Sequence, residues 1–298
     1  MNYKGIYIVL FLFFSLASPV FANVLPDQAA QQISDFSLVG YEEKGKKSWD
    51  ISGRSADIFT EVVKLKDVNG NLYGKDEDVN LTAKKGDFNK EDGKVSLRED
   101  VVITTSGGAK LTTDSMDWDR KNQVVTTKDR VNIDKDNINI VGIGAYGEPG
   151  LNKMALNKDI RVDINPLSPE DSLDDIVLKD RVVITCDGSM EVDYGKNIAS
   201  FNINVRVERP DIIIYSDKMD IYFTAGDNSA KSIKTTESMA GSIDRIVASG
   251  NVRIVRGDNV SYSQEAVYTA QDKKIVLNGR PRLVFYSTEE FKNASFGN

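Results

Sequence analysis

The sequence predicts an all-β fold. Three features carry this: apolar residues alternating with polar ones, turn-forming clusters at short intervals, and repeats of about thirty residues. Val95, Leu97, Val101 and Ile103 share one parity while Lys94, Ser96, Arg98 and Val102 take the other, the pattern of a strand with one buried face. Val79-Asn-Leu-Thr-Ala83 returns as Ala109-Lys-Leu-Thr-Thr113, and Lys-Asp-Arg-Val occurs at Lys128 and again at Lys179. Such a unit, a strand with its returning strand, cannot bury its apolar face alone and must stack on its neighbours.

Taken in order, Met1 to Ala22 sets Lys4 before an uncharged run from Gly5 to Phe14 and closes on Val20-Phe-Ala22, the form of a secretory signal cleaved after Ala22. An uncleaved N-terminal anchor is the other reading, because Gly5 to Ala22 is 18 residues without a charge. A short helix near Pro26 to Ile33 is the one helical stretch expected after it. From Trp49 the period is two. Turns fall at Asp67-Val-Asn-Gly-Asn71, Lys90-Glu-Asp-Gly93, Ser106-Gly-Gly108 and Gly226-Asp-Asn228. Residues 166–175, acidic and with two prolines in the run Asn165 to Asp175, read as a linker between two domains, or as a long loop inside one continuous β-structure. Beyond it, Ile176, Leu178, Val182 and Ile184 alternate, as do Phe201, Ile203, Val205 and Val207, then Val252 with Ile254 and Ile275 with Leu277. Thr224 to Gly241 is polar and reads as a surface loop.

Composition removes most familiar chemistry. With no histidine there is no Ser-His-Asp or Cys-His nucleophile and no imidazole base, and one cysteine permits no internal disulfide. A net charge of −7 lacks the basic footprint that a nucleic-acid partner needs. Gly142-Ile-Gly-Ala-Tyr-Gly147 matches a dinucleotide fingerprint, but Glu148-Pro-Gly150 would break the helix that must follow, so these glycines read as a strand bulge. Asp114, Asp117 and Asp119, with Asp134 and Asp136, complete no calcium loop and single out no catalytic pair, so no metal, cofactor or catalytic residue is expected. Cys186 has the parity of buried residues and reads as a small core hydrophobe.

The order of these repeats resembles the periplasmic lipopolysaccharide-transport proteins, an LptC-like module followed by an LptA/OstA-like module. The first is marked by Phe36-Ser-Leu38, Trp49-Asp-Ile-Ser-Gly-Arg-Ser-Ala56, Gly93-Lys-Val-Ser-Leu97 and Val141-Gly-Ile-Gly144. The second is marked by Ile213-Ile-Tyr-Ser-Asp-Lys-Met-Asp220, Ile246-Val-Ala-Ser-Gly-Asn-Val252 and Ile275-Val-Leu-Asn-Gly279. The resemblance implies two tandem open β-jelly rolls, at 34–165 and 176–286, after the signal or anchor at 1–22 and before a tail at 287–298.

It also implies a non-enzymatic periplasmic protein, tethered to the inner membrane if the N-terminal segment is retained. Its partners would be the acyl chains of lipopolysaccharide lipid A, an inner-membrane ABC transporter complex and a downstream periplasmic or outer-membrane jelly-roll protein. With the inward parity of the strands, it marks groove candidates Leu81, Leu97, Val101, Ile103, Leu111, Ile133, Ile140, Val162, Ile184, Val192, Ile203, Val205, Ile214, Ile221, Val252, Ile254 and Leu277. Ile275, Leu277, Leu283 and Phe285 are the edge-pairing candidates, with Arg280, Pro281 and Arg282 limiting uncontrolled growth. A secreted β-solenoid enzyme or adhesin acting on polysaccharide is the competing class, and it would need regular parallel coils.

Overall fold

A computed structural model describes residues 29, 31–41, 45–74, 78–148, 153–166, 180–223 and 243–286. The N-terminal signal or anchor, residues 167–175 of the linker, Ile176 and Leu178, the Thr224–Gly241 loop with its Gly226 turn, and the tail at 287–298 lie outside the described residues.

Seventeen strands are described and no helix. They are β1 (Gln31–Tyr41), β2 (Lys47–Ile58), β3 (Val62–Tyr73), β4 (Asp78–Asn89), β5 (Lys94–Thr105), β6 (Lys110–Asp119), β7 (Val124–Lys135), β8 (Ile138–Glu148) and β9 (Lys153–Ile164). Then follow β10 (Val182–Cys186), β11 (Met190–Asp193), β12 (Ile198–Arg209), β13 (Ile212–Phe223), β14 (Ile243–Arg256), β15 (Asn259–Thr269), β16 (Lys274–Asn278) and β17 (Arg282–Val284). The helix expected near Pro26 to Ile33 is not formed over residues 31–33, which open β1 and pair with Ala56 to Ile58.

Every ladder is antiparallel and joins neighbours in sequence, so the sheet is one meander. Regular parallel coils are absent among the described residues, which removes the solenoid alternative. β10 and β11 are two pieces of one strand, since each lies between β9 and β12. β16 and β17 likewise share β15. The β9–β10 ladder continues the sheet across the segment read as a linker, and Asp163 of β9 clamps it. Arg161 Nε donates to Asp163 at 2.6 Å, and Arg181 pairs with the same carboxylate from just before β10. Burial pushes the Asp163 pKa up, and the two guanidiniums outweigh it, so the group ends below the usual carboxylate range.

A column of bends crosses the middle of the strands. Backbone φ is positive at Asp35, Asp67, Glu99, Asp100, Gly144, Asp159, Ile203, Asn204, Gly250, Asn251, Gly279 and Arg280. At most of these levels the pairing register shifts. Asp, Asn and Gly reach this conformation at least cost, so polar residues set inside apolar strands are what bend them. Asp67-Val-Asn-Gly-Asn71 is therefore not a turn between strands but the bend of β3, with Asp67 paired to Arg54 at 2.8 Å. Lys84–Asp100 and Lys85–Glu99 pairs line the same column on β4 and β5.

The bends let the sheet close on itself. Val101, Val131, Leu156, Met190 and Ala199 are 0% exposed. With no helix described, only the other half of the same sheet can cover them, which is the two-layer, open jelly roll. Buried side chains gather in two clusters, Phe36 to Met116 and Val131 to Ala266, with Leu111 touching both.

Candidate functional site

Because each strand pairs with the next in register, side chains opposite one another form files across the roll. One file takes one residue from every strand level: Leu38, Ile51, Gly70, Leu81, Ile103, Leu111, Ile133, Ile140, Val162, Ile184, Val207, Ile214, Ile254, Ser261 and Leu283. Only Gly70 and Ser261 interrupt its apolar run. At roughly 4.8 Å per strand step the file is about 65 Å long.

Past the bend, a second file runs as Ile33, Ala56, Leu65, Gly86, Leu97 and Met116. After a register shift in the β6–β7 ladder it resumes as Thr127, Ala145, Leu156, Met190, Phe201, Met219, Ala248, Ala266 and Leu277.

At the bend itself large and small residues face each other: Phe36 and Gly53, Val68 and Ala83, Val101 and Thr113, Val131 and Gly142, Val205 and Ser216, Val252 and Ser263. The small partner makes room at the apex. A Cβ on Gly53 would stand 2.7 Å from the Phe36 ring, and one on Gly142 would stand 2.8 Å from Ile160 Cδ1.

Of the seventeen residues named from the sequence as groove candidates, all but one face the apolar interior. Leu97, Val101, Ile133, Ile140, Val162, Ile184, Val192, Val205, Ile221, Val252 and Ile254 are buried. Leu81, Ile103, Leu111, Ile214 and Leu277 are half-buried against the same clusters. Ile203 is not on the lining: it is 58% exposed. Ile203 and Asn204 both take positive φ, and this bulge breaks the two-residue period, so Phe201 and Val205 point inward and Ile203 points out.

Among the described residues both ends of the roll are open. Ile33 and Leu38 on β1, with Ile275, Leu283 and Phe285 at the far end, belong to inward parities yet are 42–56% exposed. No further strand covers them among the described residues. Leu277, the remaining edge candidate, packs against the core.

Met190, Met219, Leu156 and Ala199, which the sequence reading did not name, are among the most deeply buried side chains. Met190, Met219 and Leu156 stand in the second file, and Ala199 stands opposite Val192 and Ile221. Other sequence features resolve into structural roles. Cys186 is buried, and desolvation pushes its thiol up to about 11. Asp119 accepts from the backbone N–H groups of Asn122 and Lys121 at 3.0 and 3.1 Å, which lowers its pKa. Asp117 accepts from Ser96 Oγ at 2.6 Å. Gly144, with φ of +72°, is the bulge of β8.

The family model "Lipopolysaccharide-assembly, LptC-related" matches residues 6–165, and the model for the LptA/(LptD N-terminal domain) LPS transport protein matches residues 184–296. Among solved structures the chain is similar to LptH of Pseudomonas aeruginosa, the LptA-homologous periplasmic component of a lipopolysaccharide transport device. The identity is 13%, over 70% of this chain and 95% of that one, with a TM-score of 0.17. No curated protein matches the chain.

Proposed function

The chain belongs to the LptC-related lipopolysaccharide-assembly family, with a lipopolysaccharide-transport domain following in the same polypeptide, and from that premise we propose that it is a non-catalytic periplasmic conduit. In this reading its two modules, 34–165 and 176–286, shield acyl chains along the apolar file and pass them from the inner-membrane ABC transporter complex toward a downstream jelly-roll protein. The observation that carries it is the file from Leu38 to Leu283, apolar at thirteen of its fifteen positions and uncovered at both ends. An acyl chain is about 15 Å long, half the hydrocarbon thickness of a bilayer, so a file of about 65 Å offers several successive resting places. Moving a chain of about 14 carbons out of water is worth on the order of 10 kcal/mol, so a lining as apolar as the bilayer makes each transfer nearly level. The work is then supplied by the ATPase, and the conduit needs no catalytic group of its own.

A photo-crosslinking residue at Ile103 or Ile214, both half-buried in the file, is expected to label lipopolysaccharide. The same residue at Val102 or Ile213, on the opposite face, is expected to leave it unlabelled. Equal labelling at both parities would overturn the groove.

A further inference from the structure

The two buried clusters part at a place the sequence does not mark. One ends at Met116 on β6, and the other runs from Val131 on β7 to Ala266 on β15, drawing residues from both sides of the segment read as a linker. Strands β7, β8 and β9 therefore share their core with the second module rather than with β1 to β6. At the linker the sheet is continuous too, since Ile160 to Ile164 pair with Val182 to Cys186.

The ladder between β6 and β7 is interrupted where the cores part. Lys110 to Thr112 pair with Asn132 to Asp134, and Asp117 to Asp119 pair with Val124 to Thr126. Between them, the four residues Thr113 to Met116 and the five residues Thr127 to Val131 have no register partners in this ladder. In every other ladder between two unbroken strands, the interruption at the bend is no longer than two residues against three. Side chains span the gap. The buried Thr113 and Thr127 hydroxyls lie 3.4 Å apart, and Ser115 Oγ donates to the Asp129 carboxylate. The Asp129 backbone N–H donates to Thr127 Oγ1 of its own strand at 3.1 Å. A pair of hydroxyls between two apolar clusters takes the place of the aliphatic contact that would fuse them.

We propose that the roll is jointed at β6–β7, with β1 to β6 and β7 to β17 as two bodies that flex against each other there. Each body has its own core, and the three register pairs at either end of the gap keep them attached. The joint does not rest on the conduit reading, but its use does. A conduit that flexes must keep its lining unbroken, and Leu111, which touches both clusters, stands opposite Ile133 and carries the apolar file across the joint.

Two measurements on the full chain test the joint. In a Cys186→Ala background, spin labels go on exposed lysines at the level of the bend, either at Lys85 and Lys158 or at Lys128 and Lys218. The first pair spans the joint and the second spans the linker, and each covers five strand steps, about 24 Å. Double electron–electron resonance is expected to give a distance distribution about twofold broader for the first pair. Equal widths, or a broader second pair, would overturn the joint. The second measurement is native-state hydrogen exchange. Ile160→Val, a loss of one methylene from β9, is expected to speed exchange in β8 and β12 to β14 about threefold or more and to leave β2 to β5 unchanged. Val101→Ala is expected to do the reverse. If Ile160→Val instead speeds β2 to β5 and spares β12 to β14, the boundary lies at the linker; if it speeds all strands alike, the roll is one unit. Either result overturns the joint and leaves the conduit standing, while failure of the lipid labelling at Ile103 and Ile214 strikes the conduit and leaves the joint standing.

Discussion

Ile203 is where sequence reading and structure part, and the reason is local. A β-branched side chain at φ of +66° is an outlier, and such a conformation costs a non-glycine residue about 1–2 kcal/mol. Since the side chain is largely in water, Ile203→Asn is expected to raise stability by about 1 kcal/mol and Tm by a few degrees. A fall in Tm would mean that its contact with Gly188 outweighs the backbone cost. Asp50 gives a pH signature. Lys47 Nζ at 2.7 Å, Asn71 Nδ2 at 2.9 Å and the Tyr73 hydroxyl at 2.8 Å donate to its carboxylate and lower the pKa from 3.8 to about 2. Between these values the unfolded chain binds the proton and the folded chain does not. The contribution is therefore present above about 3.8 and lost as pH falls through about 2. NMR titration of the Asp50 carboxyl is expected to show the low midpoint, and Asp50→Asn is expected to lose this part of the acid sensitivity.

At the scale of the strand, the face of each element was readable from alternation, as Val101, Ile184 and Val205 attest by their burial. The bends were not readable, because a polar pair inside an apolar strand looks like a turn between two strands. Asp67 was misplaced for that reason and Ile203 for its converse, an apolar residue occupying a bend. Met190 and Met219 share the parity of Val192 and Ile221, so their side of the strand was legible, and register adds which residues stand opposite them. The bend at β10–β11 offers a test. A Cβ on Gly188 would come 2.5 Å from the Asn202 backbone oxygen, an atom held in a ladder, so Gly188→Ala is expected to cost about 1–3 kcal/mol in denaturant unfolding. Gly147→Ala, which meets nothing within 4 Å, is expected to be neutral or slightly stabilising. Equal costs would mean that the bend tolerates a side chain and that its glycine is incidental.

For the whole molecule, the proposed conduit makes a prediction about the direction of assembly. Deleting Lys274 to Asn298 removes β16 and β17 and with them Ile275, Leu283 and Phe285. The truncated chain is expected to lose its downstream jelly-roll partner in a pull-down while still binding the inner-membrane complex through its first module. Normal downstream binding would reverse the proposed direction.

The meander has one more consequence, for the order in which the chain acquires structure. Counting β10 with β11 and β16 with β17 as single broken strands, each described strand pairs only with those beside it in sequence, so no described ladder must wait for the far terminus, and loop-closure entropy stays small at every step. Each hairpin can be laid on the one before it as residues become available, the growing end always presenting a template for the next. A chain delivered from its N-terminus would therefore build its roll in the same direction in which it is delivered, with never more than one raw edge to protect ahead of the growing front.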